Sequence, residues 1–217
     1  RVYFNGNKIF NLLKGQPICA FTAGLGKIGP LSRCTVAKDL RLSFSSSDPA
    51  LRIDPAAYTI EQVAEHARAY INGQFAGCGL TGKSVPDLQF WVGGYPKPEG
   101  QPELWELKFV KGECDQAQLK LGPDTCGIEM GGQPEALQRL VLGSSPKLFQ
   151  QLVAAGVDPN VVSQAFQAVA QDPEFQVFEP AMPAQDAIDL ATFLAETAEG
   201  FVNFQPGPDT VGGFTDV

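Results

Sequence analysis

The chain has 217 residues, 44% of them hydrophobic, and carries a formal net charge of −8. That is enough length and apolar content for one domain with a sizeable core and no covalent staples. The acidic balance excludes a non-specific nucleic-acid binder, which needs Lys and Arg to neutralise phosphates. Cys19, Cys34, Cys78, Cys114 and Cys126 are odd in number and widely spaced, with no C-x-x-C. A disulfide framework is therefore not expected, and a reducing, cytoplasmic setting is. With one histidine and no His/Cys pair at ligand spacing, no metal and no cofactor are expected. No apolar run is long enough to span a bilayer and no signal peptide is visible, so no membrane partner is expected either.

The chain opens on Val2, Tyr3 and Phe4, a strand pattern, and then Asn5-Gly6, the dipeptide that a two-residue hairpin turn favours. Ile9 to Leu13 is apolar and predicts a strand, turned back at Lys14-Gly15. Ile18 to Ala23 predicts the next, apolar on both faces, and the glycines at 24, 26 and 29 lead into a helix over 27–42. A serine- and proline-rich loop follows over 43–57. Thr59-x-x-Gln62 fits a capping box, and Ile60, Val63, Ala67, Tyr70 and Ile71 form the apolar stripe of a second helix. His66 lies at the margin of that stripe, as a partly exposed helix histidine does. The G-x-x-G-K of the loop over 77–86 is too short for a phosphate-binding loop.

Leu88 to Tyr95 and Glu103 to Val110 predict a hairpin, with Glu106 and Lys108 on a solvated or partner-facing side. Pairing over 115–121 and a short strand over Thr125 to Met130 are expected next, then Gly131-Gly132 and a helical pattern through Leu137, Leu140 and Val141. Further helices fit 146–155, 159–170 and 184–204, and Val211 to Val217 begins a last strand. Strands and helices are segregated rather than alternating, which predicts an α+β fold. No linker divides the chain, so 1–217 reads as one domain, apparently lacking its first and last strands. The first residue is Arg1, not Met, which fits a chain that is longer in the cell.

The ordered set G-N-K-I-F-N-L, T-A-G-x-G-x-I-G, V-G-G-Y, G-G-Q-P-E-A and a late V-G-G-F resembles the N-terminal-nucleophile hydrolases, more narrowly bacterial proteasome-like proteins related to the HslV peptidase. The resemblance implies a four-layer αββα sandwich and cleavage of peptide or amide bonds in a peptide or protein substrate. It also implies self-association into a homo-oligomer, as a ring or stacked rings. In that family the first residue of the mature chain, usually threonine, is the nucleophile and its own α-amine the base. Lys8 matches the catalytic lysine and Gly24 the backbone oxyanion donor; Thr22, with Ala23 beside it, falls at the substrate pocket. The nucleophile has no counterpart, because Arg1 falls some way after it. Val211 stands where a helper serine would be, and Asp209 is one place from the helper aspartate. A catalytically inactive scaffold or assembly subunit of the same fold is the alternative.

Overall fold

A computed structural model describes residues 9–49, 51–132, 134–171 and 179–204. The expected N-terminal strand, the Asn5-Gly6 turn, Lys8 and the late V-G-G-F lie outside these residues. The described chain falls into two compact units, residues 9–132 and residues 134–204. It is mixed α+β, with a five-stranded antiparallel sheet and six helices among the described residues.

In the first unit the sheet is built from β1 (Ile9–Asn11), β2 (Ile18–Gly24), β5 (Leu88–Gly94), β6 (Glu103–Phe109) and β7 (Gln118–Leu121), in the order β1-β2-β5-β6-β7. Ile18, Ala20, Phe90, Val92, Leu107 and Phe109 lie on one face of this sheet and are buried. They form the core with α1 (Arg33–Phe44) and α2 (Ile60–Gly77), which contribute Val36, Leu40, Phe44, Val63, Ala67, Ile71 and Phe75. The other face, where Cys19 is exposed and Phe21 and Ala23 half-buried, is only partly covered, so β2 is not sandwiched on both sides in the described residues.

Three expectations change on the structure. The helix expected from 27 begins at Arg33, after a small hairpin of β3 (Lys27–Ile28) and β4 (Leu31–Ser32). Pro30 offers no N–H to a helix and disfavours helical backbone at the residue before it. Ser32 then caps α1, its hydroxyl accepting from the Thr35 N–H at 3.1 Å. The strand expected over Thr125 to Met130 is irregular chain that makes no ladder, interrupted by Gly127 and flanked by Gly122, Gly131 and Gly132. Glu106, expected on a solvated or partner-facing side, is 6% exposed, so the solvated reading does not hold for it.

The start of α2 follows the sequence closely: the Thr59 hydroxyl accepts from the Gln62 N–H at 3.0 Å. The second unit is helical in its described residues: α3 (Glu135–Leu142), α4 (Pro146–Ala154), α5 (Pro159–Gln171) and α6 (Ala184–Asn203). Within it α3 packs on α6 and α4 on α5, where Phe149 meets Phe166 edge-on at 5.8 Å.

Among the described residues no helix is long and apolar enough to cross a membrane. Cys19, Cys78, Cys114 and Cys126 are free thiols.

Candidate functional site

Gly24 ends β2 at φ +86°, a backbone state that side chains rarely adopt. A Cβ there would also overlap the carbonyl oxygen of Asp87, so glycine is required on two counts. The Leu25 N–H donates to that carbonyl at 2.9 Å, and Ala23 faces Gln89 across the β2–β5 ladder. Antiparallel strands alternate which side their N–H groups address. The intervening Gly24 N–H therefore points away from β5, toward the side of β2 that carries β1.

Thr22 and Ala23, expected together in a substrate pocket, project to opposite faces of β2, as neighbours in a strand must. Thr22 is 4% exposed on the helix-covered face, and its hydroxyl oxygen is buried without a hydrogen-bond partner among the described residues. Ala23 is half-buried on the other face. Lys8 lies outside the described residues. Of the four residues singled out by sequence, the structure thus places three, on one strand but not on one face.

The partly covered face holds a constellation that sequence reasoning missed. Phe21, Trp91 and Glu106 stand opposite one another across β2, β5 and β6. The rings of Phe21 and Trp91 stack at 4.8 Å and 11°. Glu106 accepts from Gln89 Nε2 at 3.0 Å and pairs with Lys120 Nζ at 2.9 Å. This hydrogen bond holds the Lys120 ammonium above its ordinary pKa, against the opposing effect of partial burial, with the fields of Glu106 and then Glu129 adding to it. Trp91 is 2% exposed, yet among the described residues its indole nitrogen has no hydrogen-bond partner. The alternation of β6 makes Glu106 look solvent-facing. The available signal was the pair of aromatic residues at its cross-strand positions, which makes that face apolar enough to need covering.

Chemically, this face combines a buried carboxylate, an ammonium, an amide and an unpaired N–H donor. Among the described residues no three His, Cys, Asp or Glu side chains are placed to hold a metal ion. No family model, no curated protein and no solved structure matches this chain.

Proposed function

We propose that this chain is a proteasome-like N-terminal-nucleophile hydrolase subunit that cleaves peptide or amide bonds in the cytoplasm, built on the four-layer αββα sandwich. The reading rests on the ordered motifs, from Lys8 through Thr22-Ala23-Gly24 onward. The geometric observation that supports it most is Gly24, a required glycine whose N–H turns out of the β2–β5 ladder, the direction an oxyanion donor in this mechanism needs. In this mechanism an N-terminal hydroxyl or thiol, deprotonated by its own α-amine, attacks the scissile carbonyl. The tetrahedral oxygen takes the Gly24 N–H, and the Lys8 ammonium holds the α-amine pKa down. The α-ammonium returns its proton to the departing amine as the C–N bond breaks. Water, deprotonated by the α-amine, then releases the acyl group and restores the hydroxyl or thiol. An α-amine titrates near pH 8, so a useful fraction is neutral at working pH.

The burial of Thr22 on the helix-covered face favours a second reading, the same fold without catalysis, serving as a scaffold or assembly subunit.

Two measurements separate them. N-terminal sequencing and intact mass of the native protein are expected to give Thr, Ser or Cys as residue one; a retained methionine or a long leader supports the scaffold. Lys8→Ala is expected to abolish turnover with circular dichroism unchanged. Full activity in that variant removes Lys8 from the mechanism.

A further inference from the structure

Residues 122–132 form a strap that leaves the end of β7 and crosses the partly covered face of the sheet. None of them is buried. The strap begins with a self-contained turn, in which the Thr125 N–H donates to the Gly122 carbonyl at 3.1 Å and the Gly122 N–H to the Thr125 hydroxyl at 2.6 Å. Gly127 then passes Leu121 of β7. Gly131 lies on the six-membered ring of Trp91, so close that a Cβ would overlap it. Gly132 ends the crossing beside Ala23, donating its N–H to Gln89 Oε1 at 3.4 Å.

What this strap covers is out of proportion to what holds it. Beneath lie the Phe21–Trp91 stack and the Glu106, Gln89 and Lys120 network. Among the described residues the strap makes one long hydrogen bond to the sheet, its glycines bring no side chain, and its apolar residues Ile128 and Met130 are only half-buried. Covering also leaves the Trp91 N–H unpaired, whereas an uncovered indole would be hydrated. Few buried contacts and an unmet donor are the conditions under which a segment opens locally, well below the free energy of global unfolding.

We propose that residues 122–132 are a cover that lifts from the sheet as a unit, uncovering Trp91 together with Gln89 and Glu106. The inference does not depend on the hydrolase reading. The open face presents a flat aromatic pair flanked by an N–H donor, an amide and a carboxylate–ammonium pair.

Hydrogen exchange followed by NMR on the unaltered full chain tests this, with Trp105→Phe used only to assign the two indole signals. In a lifting cover, the Trp91 indole N–H and the amides of 126–132 exchange at least about ten-fold faster than the slowest β5 amides, because they open locally. Their rates also stay flat in low denaturant. Exchange of the Trp91 indole at the rate of the β5 core overturns the proposal, since the N–H is then released only by global unfolding. A second arm uses Gly131→Ala in the Trp105→Phe background. The added methyl is expected to displace the strap, red-shift Trp91 emission and raise acrylamide quenching several-fold, with far-ultraviolet circular dichroism unchanged. A folded variant in which Trp91 stays as protected as before overturns the proposal equally. If the variant does not fold, the exchange measurement decides alone.

Discussion

At Thr22 a hydroxyl sits in the core without a partner among the described residues, a burden of about 1–3 kcal/mol for a buried polar group. The sheet gains nothing from it, because Ala20 before it and Phe90 opposite it are apolar and close-packed. Thr22→Val keeps the shape and removes the orphan oxygen. The variant is expected to be more stable by about 1 kcal/mol, a rise in Tm of roughly 2–4 °C for a chain of this size. If Thr22 touches substrate, turnover falls in the same variant. Thermal denaturation and an activity assay on one preparation read both. A loss of stability would mean the hydroxyl is paired in the native protein and that its burial carries structure, not function.

Charge at the β6–β7 junction gives a prediction of a different kind. Lys120 is raised by its hydrogen bond to Glu106, and Tyr58 and Tyr70 are raised by burial, Tyr70 also by the charge of Asp39. A raised folded-state pKa contributes stability that is complete below the unfolded value and is lost as pH climbs through the folded one. The ordinary values are 10.5 for the lysine and 10.0 for the tyrosines, so all three lose stability on the alkaline side. On the acid side Glu65 acts in the opposite sense. Burial pushes it up, but the Ala117 N–H and Arg68 outweigh this and leave it low, so its share is lost as pH falls. Glu106→Gln removes the Lys120 part. Its midpoint is expected to start lower at neutral pH and to fall less steeply above about pH 10 than the parent. Urea denaturation across that range checks it, and parallel alkaline limbs would show that Lys120 is not tied to Glu106 in solution.

Among the elements, legibility in the sequence followed how local each signal was. The Thr59 cap and its apolar stripe are written in consecutive residues, and α2 formed where they placed it. The strands Leu88–Gly94 and Glu103–Phe109 carry their own alternation and were equally plain. Thr125 to Met130 has strand-like composition, but a strand also needs a partner edge, and no composition supplies one. The start of α1 is not legible in the sequence, because Ile28 and Leu31 fit helix spacing yet are partners in a two-residue-per-strand hairpin. Gly24 was legible as a special position because glycine is its own signal. The Glu106–Lys120 pair was not. It depends on an irregularity in the β6–β7 register, where Leu104 faces Leu121 but Trp105 faces Leu119, leaving Lys120 as the extra residue. Bulges of this sort re-aim a side chain, and nothing local in the sequence marks where one falls.

For the whole molecule the resemblance implies self-association, and the place to look for it is the exposed apolar surface. Val36 and Leu40 of α1 are buried within the first unit, and so is Trp91. Tyr95 remains exposed there. The stronger motive is now in the helices of the second unit. Leu140, Leu148, Val161 and Ile188 are exposed, Phe193 is 54% exposed and Phe204 is 91% exposed. Scattered surface apolar side chains need no explanation, but aromatic residues recurring along one helix do, because aromatics are enriched where proteins meet. Burying such groups contributes about 25 cal/mol per Å² of apolar surface removed from water, so a few aromatic anchors can carry a contact. Closed symmetry is the general outcome for copies of one chain, in keeping with the ring that the resemblance implies. Light scattering on the purified protein at micromolar concentration is expected to give a mass several times that of the chain, and Phe193→Ser with Phe201→Ser is expected to lower it. A single species near 23.2 kDa, the mass of one chain, would defeat the hydrolase ring and the scaffold alike.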